Sequence, residues 1–134
     1  MSTRPSPVEL GYLVAPLEVG STLHRWYPVT VELLTDHVPN YPPVLMTPEL
    51  IAMLEDAAAD LVRPLLAPGA ASVGTWIGVH HTGAARLDDQ VRVTATVIAV
   101  DGRKLRYDVA AHVGERRIGH GEVGFTLIRP GADS

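Results

Sequence analysis

One stretch of helical period, followed at once by four stretches of strand period, is the feature that most limits what this chain can fold into. Pro48–Arg63 (PELIAMLEDAAADLVR) places Glu49, Asp56, Asp60 and Arg63 on one narrow arc at about 100° per residue, leaving a wide apolar arc to be buried. Thr47 and Pro48 make a good helix start, a hydroxyl able to cap free amides and then a proline at the first helical position. Pro64 and the run Ala67-Pro68-Gly69 mark its end. The period then changes. Val73–Thr82, Gln90–Val100, Lys104–Val113 and Arg116–Arg129 alternate or run apolar, with turn signals at Asp101-Gly102 and Gly114-Glu115 that predict antiparallel hairpins.

Upstream of the helix, Thr22–Val31 has strand character, with Pro28 marking an edge or a bend. Glu32–Leu45 carries three prolines and an asparagine and reads as mostly loop, after one helical turn at Val31–Leu34. The proline-rich start to Gly20 reads as a loose tail and an edge segment, and the PGADS end as frayed. One domain over residues 1–134 is expected, with 1–20 and 130–134 partly irregular. This element order predicts an α+β fold in which an antiparallel sheet wraps one long central helix, the hotdog arrangement. Exposed edge strands of such a sheet invite pairing with a second copy, so a homodimer is expected.

Composition narrows the function. A formal net charge of −4 lacks the basic excess of a nucleic-acid binder. No run of about 18 apolar residues predicts a membrane span, and the first residues show no secretory pattern, so a cytoplasmic protein is expected. The absence of cysteine removes thiolate catalysis, disulfides and cysteine-ligated zinc.

Within the helix one residue breaks the pattern. Glu55 lies outside the charged arc, surrounded at neighbour spacing by Ile51, Ala52, Ala58, Ala59 and Val62. A carboxylate on the core-facing side needs a partner, an altered pKa or a task, the bland alternative being a structural ion pair. His80 and His81 are adjacent in a strand, so their rings point to opposite faces and cannot share a metal. Alternation puts His81 with Thr75, Ile77 and Val79, and His80 with Trp76, Gly78 and Thr82, but does not choose between the two rings. Thr47 reads first as a cap, although a hydroxyl among free helix-start amides can also meet a polarised oxygen. Gly74 would let a ligand approach the backbone closely. No G-x-S-x-G, P-loop, H-E-x-x-H or Asp-His hydratase dyad is present, and His24, His37, His112 and His120 lack ligand spacing, so no metal and no cofactor are expected.

Taken together, these motifs have a counterpart. From about Tyr41 to Ile128 the chain resembles the fluoroacetyl-CoA thioesterase group of hotdog-fold acyl-CoA thioesterases. The likeness rests on the threonine at the helix start and the acid eight residues later. It extends to the connection carried by Pro64, Leu66, Pro68, Gly69, Ser72, Gly74 and Thr75, and to the strand end Val79, His81, Thr82. The resemblance implies Thr47, Glu55 and His81 as catalytic residues, thereby selecting His81 over His80. It implies Gly74 lining the acyl site and a homodimer with acyl-CoA near the subunit interface. Phe125 stands where the group has an arginine, Tyr41 where it has a gating phenylalanine, and the loop before the helix is shorter. These departures fall around the pocket, where Gly74, Tyr41 and Phe125 are the expected substrate-binding residues, so fluoroacetyl specificity is not carried over. The implied function is hydrolysis of a short or unusual acyl-CoA to the free acid and coenzyme A. The alternatives are a non-catalytic hotdog module binding an acyl thioester or small hydrophobic ligand and, more weakly, a hydratase-like enzyme. Arg86, Arg92, Arg103 and Lys104 are the basic residues considered for the coenzyme A phosphates.

Overall fold

The computed structural model describes residues 4–132. Its elements are β1 (Thr22–Pro28), β2 (Leu34–Thr35), β3 (Val44–Leu45), α1 (Thr47–Val62), β4 (Ala71–His81), β5 (Gln90–Asp101), β6 (Lys104–Val113) and β7 (Arg116–Ile128). The five long strands form one antiparallel sheet in the order β1-β5-β6-β7-β4. Both predicted hairpins are present, with Gly102 and Gly114 at positive φ in two-residue turns. β2 and β3 pair as a small separate ribbon inside the stretch expected to be mostly loop, too short to leave a periodic signal.

Alternation decides which side of the sheet is covered. Val91, Val93, Ala95 and Val97 of β5, with Leu105, Tyr107, Val109 and Ala111 of β6, are buried beneath the helix. Arg92, Thr94, Thr96, Arg106 and Asp108 lie between them and face outward. α1 answers with Leu50, Met53, Leu54, Ala57, Ala58 and Val62, a stripe at helical spacing. The helix sits close to the strands: a Cβ at Gly119 would lie 2.9 Å from Leu50 Cδ2. One side of α1 stays uncovered, where Ala52 is exposed and Asp56 and Asp60 are half-buried and tied to Arg63.

Two helix boundaries depart from expectation. Thr47 is the first helical residue and Met46 the cap position, with no side-chain cap bond, so the Thr47 hydroxyl is available elsewhere. Beyond Val62 the chain tightens into a 3-10 turn over Arg63–Leu65 that includes Pro64. Proline has no amide hydrogen for an α-helical bond, which ends α1 but not the turning of the chain. Among its described residues the N-terminal segment contributes no strand to the sheet, yet it is packed. Tyr12, Leu13 and Leu17 are buried, Leu13 bridges Leu66, and the Val14 amide donates to the Leu65 carbonyl at 2.8 Å.

The strand that matters most for the site is irregular. A bulge between Gly74 and Trp76 shifts the register of β4 on β7. An extra residue in one strand reverses the alternation locally. Thr75 therefore joins Trp76 on the outer face, where its hydroxyl meets that of Thr126 at 2.8 Å, rather than sharing a face with His81. Opposite Val79, Gly121 has φ +153, and a side chain there would press on the Gly78 carbonyl and lie 2.8 Å from Val79 Cα. Only glycine fits.

Candidate active site

Two clusters carry the polar residues singled out from the sequence, one at the start of α1 and one at its middle. At the start, the Thr47 hydroxyl and His81 Nδ1 share a hydrogen bond at 2.8 Å. His81 is half-buried on the helix side of β4, and its Nε2 is buried with no partner among the described residues. An orphan ring nitrogen in such a place is costly unless another molecule meets it. Tyr41, exposed in the loop before the helix, lines the same depression as His81, together with Val44 and Thr82. His80 points the other way and stacks on His120, with ring centroids 5.4 Å apart on the outer face.

Two turns further along α1, Glu55 projects against β4. A Cβ at position 74 would lie 2.5 Å from Glu55 Oε2 and 3.9 Å from the Phe125 ring, so the carboxylate occupies the space that Gly74 leaves free. Phe125 pairs with Gly74 across β4 and β7, is buried, and meets the Tyr107 ring edge-on at 5.6 Å. The cavity around Glu55 has a volume of about 540 Å³ and a mixed wall, apolar at Ala52, Ala59, Leu66, Ala70 and Phe125 and polar at Asp56, Arg63 and Ser72. Glu55 is half-buried and has no hydrogen-bond or ion-pair partner among the described residues. The neighbouring acids are differently placed, Asp56 accepting from Tyr27 Oη at 2.7 Å and pairing with Arg63. That separates Glu55 from the structural ion pair that its burial alone could have meant.

Sequence reasoning missed one residue of this cavity as an individual. Ser72 lies two residues before Gly74, hence on the same face, and its hydroxyl is buried with no partner among the described residues. Its spacing from Gly74 was the available signal. Glu55 and His81, both implied as catalytic by the resemblance, do not meet within one chain. Eight helical residues separate Thr47 from Glu55, about 12 Å along the axis, and the two clusters line separate depressions. Among the described residues no group of three or more His, Asp or Glu is arranged to hold a metal ion.

With this geometry in view, the comparisons with known proteins are specific. The family model described as fluoroacetyl-CoA-specific thioesterase matches residues 29–129. The chain belongs to this family. A fluoroacetyl-CoA thioesterase from Streptantibioticus cattleyicolor is 36% identical over 100 residues, 75% of this chain and 68% of the relative. A solved fluoroacetyl-CoA thioesterase superposes with a TM-score of 0.80 at 31% identity, covering 86% of this chain and 90% of that one. A variant of such an enzyme, solved in complex with fluoroacetate and CoA, gives 0.79 at 32% identity over 84% and 96%. A Thermus thermophilus member of the thioesterase superfamily, at 22% identity and a TM-score of 0.77, shares the fold. As a member of this thioesterase family the chain is a thioester hydrolase with the hotdog fold, rather than a non-catalytic module.

Proposed function

We propose that the chain hydrolyses an acyl-CoA thioester at a site assembled from two copies, with Glu55 supplied by one and Thr47 and His81 by the other. The observation that carries this reading is the pair of incomplete clusters. Glu55 stands unpaired beside Gly74, and His81 presents a buried, unpartnered Nε2 beside Thr47.

The sheet edges favour one way of joining the copies. β1 is the shorter edge, ends in Pro28 and carries Arg25, features that blunt an edge. β4 spans eleven residues without proline, aspartate, glutamate, lysine or arginine, and leaves Val73, Trp76 and Ile77 at 38%, 45% and 46% exposure. Pairing β4 with its own copy in antiparallel fashion lays the His81 end of one strand beside the Gly74 end of the other. Each Glu55 then faces the partner's Thr47 and His81.

In such a site Glu55 acts on the thioester carbonyl, directly as nucleophile or by drawing a proton from water. The C–S bond breaks as the new C–O bond forms, giving the acid directly when water attacks, or an acyl–Glu55 anhydride that a water then hydrolyses to the acid and free Glu55. The coenzyme A thiolate takes up a proton, with His81 as the group able to relay it. Thr47 holds that imidazole by its Nδ1. Phe125 and Tyr41 line the two sides of the acyl-binding space, and the chemistry calls on no cofactor.

Mixing subunits tests the arrangement. Glu55→Gln and His81→Ala chains, each inactive alone, are unfolded together, refolded and assayed with a panel of acyl-CoAs. Random pairing makes half of the dimers mixed, each with one intact site, so about a quarter of wild-type activity returns. Failure to regain activity, with mixed dimers demonstrated, would place the whole site within one chain.

A further inference from the structure

We infer that Ser72 holds the hydrolytic water against Glu55. The inference rests on the thioesterase reading above and deepens it, because a built seat for water favours the branch in which water attacks directly and Glu55 serves as its base. Besides Glu55, the polar side chains of this cavity are Asp56, Arg63 and Ser72. Asp56 accepts from Tyr27 Oη at 2.7 Å and pairs with Arg63 at 3.2 Å. Arg63 is held a second time by Asp60. Thr75, the residue after Gly74, is turned away by the β4 bulge and bonded to Thr126. Ser72 is left as the uncommitted hydroxyl of the wall, its Oγ buried and without a partner among the described residues. A sheltered hydroxyl in that state is costly unless water or a ligand completes it.

Placement favours a water over a direct bond. Ser72 and Gly74 are two residues apart on β4, ahead of the bulge, so their side-chain positions share one face about 7 Å apart. The Glu55 carboxylate fills the space beside Gly74. Serine Oγ turns about a single bond among three staggered positions, so it can point along the wall toward that carboxylate. No hydrogen bond joins the two side chains. The gap between them is on the order of one bridging water, which spans up to about 5.6 Å between two oxygens. At about 540 Å³ the cavity has room for that water beside an acyl group.

The two side chains suit a water chemically as well. A carboxylate only accepts hydrogen bonds, whereas a hydroxyl both donates and accepts. A water seated between them gives one hydrogen to Glu55 and the other to Ser72 Oγ, which leaves an oxygen lone pair free for the thioester carbonyl. Glu55 takes the first proton as the water oxygen bonds to the carbonyl carbon. The C–S bond then breaks and the thiolate leaves with the electron pair. The proton held by Glu55 reaches the thiolate through His81, so free acid, thiol and ionised Glu55 result. Ser72 neither gains nor loses a proton in this sequence. It is a positioning residue, acting through the orientation of the water.

The test uses the full-length chain. Ser72→Ala should lower kcat on the best acyl-CoA about tenfold, the scale of one hydrogen bond, and leave KM unchanged. Two variants of equal shape separate the hydroxyl from its volume: Ser72→Thr keeps kcat within about twofold, whereas Ser72→Val falls to the level of Ser72→Ala. A crystal structure supplies a readout that needs no turnover. The wild type should show a water within hydrogen-bond distance of both Ser72 Oγ and a Glu55 carboxylate oxygen, and the Ser72→Ala crystal should lack it. Wild-type kcat in Ser72→Ala, equal losses in the threonine and valine variants, or a direct Ser72–Glu55 bond with no water between would overturn the assignment. A wild type that cleaves no acyl-CoA would count against the hydrolase reading instead, with the bridging water still deciding the role of Ser72.

Discussion

The two clusters on α1 are built on opposite principles. At the helix start, Thr47 and His81 satisfy each other through a 2.8 Å bond and leave one buried ring nitrogen over. At the helix middle nothing satisfies Glu55, and its room exists because Gly74 has no side chain. The first is a positioned base lacking an acid, the second an acid lacking a base. Leaving either sheltered and unmet is expensive, and in the proposed two-copy site that cost would fall as each meets the other across a symmetric interface. In the proposed two-copy site, each chain's reactive groups would stay idle until the copies assemble.

Substitutions at the two clusters should differ in kind. The largest effect is expected from Glu55→Gln, which keeps the shape of the side chain and removes its charge. Steady-state turnover of the best acyl-CoA should fall by about 10²–10⁴-fold, with thermal stability unchanged or raised. Wild-type turnover in that variant would end the proposal. Gly74→Ala comes next. A methyl group would lie 2.5 Å from Glu55 Oε2 and push the carboxylate aside, so kcat should drop about 10²-fold while the melting temperature barely moves. The contrast predicts a smaller loss at the helix start. Thr47→Val removes one bond to an imidazole that β4 still holds, and should cost about tenfold in kcat/KM.

The smallest effect concerns neither cluster and serves as the control. Tyr107 is wholly buried beneath the helix, and its hydroxyl has no partner among the described residues. Tyr107→Phe should therefore stabilise the fold by about 1 kcal/mol in urea unfolding without changing kcat. Burial also pushes the Tyr107 phenol above its ordinary range. The unfolded chain then releases that proton first as pH rises past about 10, so the native state loses stability there. The advantage of the phenylalanine variant should widen at high pH.

Much of this molecule was legible in one dimension. The 3.6 period of α1 and the twofold alternation of β5 and β6 follow from backbone geometry, and each burial pattern returns them residue by residue. The misplaced acid was visible for the same reason, since a carboxylate among alanines violates a local rule. What failed was where local rules meet tertiary ones. Thr47 read as a cap because a helix start supplies free amides, yet a partner 34 residues away took its hydroxyl. Thr75 was assigned to the face of His81 because alternation assumes an unbroken ladder, and one bulge reversed it. The two-residue strands β2 and β3 are too short for any period to show.

From the residues alone came the types of the long elements, the buried faces of α1, β5 and β6, and the acid that does not belong on the helix, because hydrophobic burial at a fixed period is a local constraint. That Thr47 holds His81, that Glu55 fills the space at Gly74, and that these two meetings occur apart from each other emerge with the packed chain. Those facts depend on how a helix with a 1.5 Å rise crosses strands with a rise of about 3.3 Å, and no spacing along the chain encodes that crossing.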